Sequence, residues 1–435
     1  MIKHNSSLVI YFLIIVTIAG SGCKSRSGRD TGSKTTTSYK EIIIPLPEQD
    51  DAVLEKVIFF IENSGSMFGY VKQANEFKNS LVGLAYLPEF DKAEKSFYFI
   101  NGKSDTLKKS NISINYIGSD PEILKNKLNP ESFNIGDVRF SDLNRMFKIS
   151  LDSAKRNQIS VLVSDCIYDV GAEKDPLTAL DIEIHKTQQA FRNRIENEDV
   201  QTLIIKTSSR FDGDYFYASK RGSIRIYDKH RPFYIIFFGR TKLLNDLLTE
   251  ESISSKIVTP FQTARFFVND DKNIPYQIAP SVKRIGSFKL DFRDNLHLTD
   301  AEPFKGKFQF TIAADFSPLP FSDSYYASIN NYECLFSNFM VAEVEKIAKK
   351  IPGIDGTHLI TMVTEKNPLG ELEVVLKNVM PEWIAETDIV DEDNIDSIHT
   401  YSFKSLTDAI SEAYAFENNK QKGRYPATFR IRISK

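Results

Sequence analysis

The chain has 435 residues, 41% hydrophobic and 12% aromatic, which is enough to bury substantial cores and suggests two domains. Its formal net charge of −3 argues neither for nucleic acid nor for a strongly acidic partner. It contains three cysteines, and with no C-x-x-C pair or His/Cys cluster among its motifs zinc is not suggested.

The first 22 residues read as a signal peptide. Lys3 and His4 form a short basic region, and an apolar run over 8–19 has the length of a signal core but not the roughly 20 residues that span a bilayer. Gly20, Ser21 and Gly22 then precede Cys23, and this arrangement resembles a bacterial lipoprotein signal of the kind familiar from Bacteroidetes. The resemblance implies lipidation at Cys23; the alternative is ordinary cleavage that leaves a plain cysteine. Residues 24–40 are rich in Ser, Thr, Gly and charge, so 23–52 reads as a lipidated tether. Lys24-Ser25-Arg26-Ser27 carries no acidic run, which in that group accompanies surface export. The expected location is therefore the cell envelope, lipid-anchored and facing the periplasm.

From 53 to 250 apolar runs alternate with amphipathic helices. The spacing predicts strands at 57–61, 96–100 (stopped by Asn101-Gly102), 112–117, 159–163, 200–205 and 233–238. Helices are expected around Phe77, Leu81, Leu84 and Ala85, and at 142–154, 179–195 and 241–248. Asp212-Gly213-Asp214 reads as a turn. This order implies an α/β fold with a doubly wound, mostly parallel sheet and helices on both faces. From 255 to 435 the texture becomes β-rich and sandwich-like, with strand-like runs such as 265–269, 286–292, 307–314, 358–363 and 371–376, and helices at 341–350 and 406–416. Trp383, the single tryptophan, reads as a core or domain-contact residue. The remaining cysteines, Cys166 and Cys334, fall in different halves, which disfavours a disulfide.

The chemistry concentrates after the first strand, in Ile61-Glu62-Asn63-Ser64-Gly65-Ser66-Met67. One carboxylate and two hydroxyls stand at alternate positions on a strand-to-helix turn, a donor set that suits a hard oxygen-seeking cation such as Mg²⁺. Downstream, Phe140-Ser141-Asp142-Leu143 opens a helix and Val163-Ser164-Asp165 closes a strand. Ligands of open α/β sheets gather at such strand ends. Taken singly, these are also ordinary turn and cap residues.

Together the three motifs resemble the von Willebrand factor A-like family and its metal-ion-dependent adhesion site, D-x-S-x-S, Thr and Asp. Glu62 stands where the family has Asp, and Ser141 where it has Thr. The resemblance implies Mg²⁺ bound by Ser64 and Ser66, with Ser141, Asp165 and Glu62 acting directly or through water. It also implies one open position for a carboxylate of a partner protein. The function so implied is a non-enzymatic, envelope-anchored protein-interaction or adhesion module. The alternatives are a metal-dependent hydrolase using Glu62, Asp165 and Asp169, or a scaffold with a vestigial metal site. Ser64 lacks the G-x-S-x-G elbow of a hydrolase nucleophile, and none of the six histidines has a catalytic context.

Overall fold

The structure is a computed structural model that describes residues 53–73, 75–103, 111–170, 175–269, 274–420 and 425–435. The signal peptide, Cys23 and the tether lie outside the described residues. Among the described residues no helix is long and apolar enough to cross a membrane.

Seven strands form the main sheet: β1 (Lys56–Glu62), β2 (Glu94–Lys103), β3 (Asn111–Gly118), β4 (Gln158–Ser164), β5 (Gln201–Phe216), β6 (Ser223–Gly239) and β7 (Gln262–Phe266). Their order is β3-β2-β1-β4-β6-β5-β7. The expected parallel pairing holds for the central strands β2-β1-β4. The remaining pairings are antiparallel, because β5 and β6 are consecutive arms of one hairpin and β3 and β7 lie antiparallel at the edges. The chain leaves β1 for β2 on one side and returns to β4 on the other, so the sheet's topological switch point lies between the carboxyl ends of β1 and β4.

Helices cover both faces, and the alternation of β6 shows how. Phe233 packs its ring against Tyr70 and Phe77, from helices Phe68–Val71 and Glu76–Ala85. Phe238, five residues on and therefore on the opposite face, meets Phe147 and Phe191 from helices Leu143–Ser153 and Pro176–Ile195. All of these rings are fully buried.

Several elements differ from the sequence-based expectation. β2 is not stopped by Asn101-Gly102 but runs through them to Lys103. Asp212-Gly213-Asp214 is not a turn; it lies within β5, next to a bulge between Phe211 and Gly213. The glycine serves close packing, since a Cβ on Gly213 would sit 2.7 Å from the Gly69 Cα. Residues 341–350, expected as a helix, begin as a strand, Met340–Lys346. Pairing with His358–Thr364 overrides local propensity there.

The change of texture near residue 255 precedes the last strand of the first sheet, because β7 pairs with β5. The long helix Phe403–Lys420 also packs on the first core, against Pro176–Ile195, with Phe403 stacked on Tyr234 at 4.1 Å and Arg192 over the Phe416 ring. Trp383 is buried in the same core and donates from its indole nitrogen to the Thr263 carbonyl. Apart from a short parallel pairing of 388–389 with 400–401, the remaining strands of the C-terminal half form a five-stranded and a four-stranded sheet. They share one core, in which Phe310, Ile312 and Met362 of one sheet lie with Val374, Phe429 and Ile431 of the other.

Candidate functional site

The switch point is where Glu62, Ser64, Ser66, Ser141 and Asp165 converge. Glu62 is the last residue of β1, and the following serines enter a short 3-10 turn, Gly65–Met67, closed by the Met67 amide donating to the Ser64 carbonyl. Asn63 stitches this loop to the segment before Ser141: its side-chain amide donates to the carbonyls of Phe133 and Ile135, and Asn101 donates to its oxygen. Gly65 donates to Val138 O, and Gly102 to Phe140 O. A Cβ on Gly102 would lie 2.8–2.9 Å from Phe140, so only glycine lets the loop lie this close. Asp142 then caps the helix Leu143–Ser153, accepting from the Arg145 amide, which fixes Ser141 at the helix entrance.

The resulting cluster is a carboxylate held by hydroxyls. Glu62 Oε1 accepts from Ser64 and Ser141, each at 2.7 Å, and Oε2 accepts from Ser164 at 2.5 Å. Ser64 and Ser66 hydroxyls stand 3.2 Å apart. Glu62 and Asp165 are 1% and 2% exposed, and burial together with the Asp165 charge pushes the Glu62 carboxyl up to about 7. Burial also raises Asp165, opposed by the nearby Arg231 guanidinium and the Ser66 hydroxyl. One oxygen of Asp165, Oδ2, is buried without a hydrogen-bond partner. The next residue, Cys166, adopts φ 57°, the left-handed region that non-glycine residues visit at a cost of order 1–3 kcal/mol and that recurs at functional sites. Cys166 and Cys334 are free thiols.

Above the cluster lies a cavity of about 520 Å³ whose floor includes Ser64, Ser66 and Ser141. Glu62 and Asp165 do not line it; they sit beneath the hydroxyls. Asp169 does line it, as do Phe140, Ile167 and Tyr168. The far wall is the tip of the β5–β6 hairpin, with Phe216, Tyr217 and Arg221. The Phe216 ring lies over Gly65, 3.1 Å from where a Cβ would stand. The hairpin tip is pinned from far along the chain by buried Glu392. Its carboxylate accepts from Tyr215 OH at 2.8 Å, the amides of Ala218 and Ser219, and the Ser219 hydroxyl.

All five residues singled out from the sequence therefore meet in one place. Sequence reasoning missed Asn63 as a stitch, Ser164 as a donor to Glu62, the hairpin wall and Glu392. It also missed Arg231, a buried guanidinium lying over the Phe211 and Tyr215 rings. Among the described residues no group of three or more His, Cys, Asp or Glu side chains is placed to hold a metal ion, so a cation here would be held chiefly by hydroxyl oxygens. No family model matches the chain, and no curated protein shows significant sequence similarity to it.

Proposed function

We propose that the protein is a non-enzymatic binding module of the cell envelope, built on a von Willebrand factor A-like domain. It captures a carboxylate of a partner protein at the switch point with the help of Mg²⁺. The observation that carries this reading is the layering of the site: three hydroxyls line the cavity floor above two buried carboxylates, one of which has an unpartnered oxygen. That donor set fits a hard cation, which takes oxygen ligands and keeps several waters. Ser64, Ser66 and Ser141 would hold the ion, with Glu62 and Asp165 supplying negative charge from below. When bound, the ion would offer an open coordination position to an incoming carboxylate. Glu62 accepts three hydroxyl hydrogen bonds here, a role in which its extra methylene relative to Asp is accommodated. Against a hydrolase stands the burial of Glu62 and Asp165 behind hydroxyls, which leaves Asp169 as the one carboxylate of that reading that lines the cavity.

Calorimetric titration of Mg²⁺ and Mn²⁺ into the purified protein is expected to give a saturable heat that vanishes in a Ser64→Ala/Ser66→Ala variant. Equal heats for the two proteins would refute the cation and leave the scaffold reading. Turnover of phosphoester or ester substrates, abolished by Asp165→Ala, would instead promote the hydrolase. The envelope part of the proposal rests on the sequence around Cys23. A Cys23→Ser variant should leave the membrane fraction for the soluble one, and continued anchoring of that variant would refute lipidation.

A further inference from the structure

We infer that the site selects an acidic segment in which an aromatic or other bulky apolar side chain stands next to the carboxylate. This deepens, and rests on, the carboxylate-binding reading above. A cavity of about 520 Å³ is far larger than one carboxylate needs, and beyond the hydroxyl floor its lining includes the rings of Phe140, Tyr168, Phe216 and Tyr217. Phe140 and Phe216, both lining the cavity, are 39% and 47% exposed. Large aromatic rings left in contact with water around a polar centre mark an interaction surface, where such residues carry most of the binding energy. The Phe216 ring leans over Gly65, beside the serine hydroxyls, so an apolar group next to a bound carboxylate would meet it.

The charged side chains that line the cavity are mostly basic, with Arg139, Lys220 and Arg221 against Asp169, which favours an acidic ligand. Arg139 stacks on Phe140 and pairs with Asp137, while Lys220 stacks on Tyr217 and pairs with Asp393. Arg221 lines the same cavity from the hairpin tip, is exposed, and has no acidic partner among the described residues. A second acidic group on the ligand would satisfy it. The wall is also pre-formed: the four hydrogen bonds to Glu392 fix the tip before any ligand arrives, which lowers the ordering cost of binding.

The test uses blocked synthetic peptides of glycine with a central Asp-Phe pair, titrated by calorimetry into the purified protein at saturating Mg²⁺. Companion peptides replace the aspartate by asparagine or the phenylalanine by glycine. The Asp-Phe peptide is expected to bind, the asparagine peptide to give no heat, and the Asp-Gly peptide to bind roughly tenfold more weakly. A Phe216→Ser/Arg221→Glu variant should lose the preference for Asp-Phe while keeping the Mg²⁺ heat, which also reports that it folds. Equal binding of the Asp-Phe and Asp-Gly peptides, or an unchanged preference in the variant, would overturn the inference and leave the carboxylate reading standing. Absence of binding by both acidic peptides, with the Mg²⁺ heat intact, would overturn both.

Discussion

Replacing Glu392 by alanine is expected to cost about 2–6 kcal/mol of folding stability, the cost of leaving two buried neutral donors, the Tyr215 hydroxyl and the Ala218 amide, without their acceptor. The carboxylate is 4% exposed and is the shared acceptor for the Tyr215 hydroxyl, two consecutive backbone amides and the Ser219 hydroxyl. Tyr215 and Ala218 are each 1% exposed, so neither donor can turn to water once the acceptor is gone. Each buried donor left unsatisfied costs about 1–3 kcal/mol. Urea denaturation should show the loss, and hydrogen exchange at residues 215–219 should rise before that of the central strands. Glu392→Gln, which preserves shape and one acceptor oxygen, should lose less. A Glu392→Ala variant within about 1 kcal/mol of wild type would mean that the hairpin tip does not depend on the C-terminal segment.

The second large effect is a stability that falls with rising pH. Folded Glu62 keeps its proton up to about pH 7, whereas an unfolded glutamate releases it near its ordinary value of 4.5. Between those values the folded state binds more protons than the unfolded one, so this group's contribution is complete below 4.5 and is lost on the way to 7, by roughly 3 kcal/mol. Asp165, also raised, acts in the same direction, with Arg231 opposing it. In chelator-treated protein the melting temperature should therefore drop across this window. Glu62→Gln should flatten the profile, and Mg²⁺, which favours the ionised pair, should restore much of the loss at neutral pH. An unchanged slope in Glu62→Gln would assign the effect to other groups.

How much of this was legible in the sequence depended on how local each signal was. The 57–61 run, the bodies of the helices at 143–153 and 176–195, and the three site motifs are short-range patterns; the helices were read at 142–154 and 179–195, within three residues of their ends, and their caps Asp142 and Asp175 were not. Convergence of Ser64 and Asp165 followed from placing them at strand ends of one sheet, whereas Ser141, which opens a helix, was joined to them only by the resemblance to the von Willebrand factor A-like family. Asn101-Gly102 carried a real signal that was read as a stop; the glycine is required instead for the approach of Phe140, a contact 38 residues distant in sequence that no local pattern encodes. The hairpin 201–239 was read as two short strands, because its outer arms carry Asp, Gly, Arg and Lys that locally spell turn and loop. The role of Glu392 and the packing of the helix Phe403–Lys420, itself expected at 406–416, on the first core were hidden for a different reason. Both segments join the first core through long-range contacts, such as Tyr215 with Glu392 and Tyr414 with Thr202.

The central claim is that the hydroxyl floor over Glu62 and Asp165 holds a divalent cation. Crystals grown with Mn²⁺ and measured at the manganese absorption edge test it most directly. The account predicts an anomalous peak within coordination distance of the Ser64, Ser66 and Ser141 hydroxyls, lost in crystals of the Ser64→Ala/Ser66→Ala variant. Ordered hydroxyls with no anomalous peak above them would contradict it.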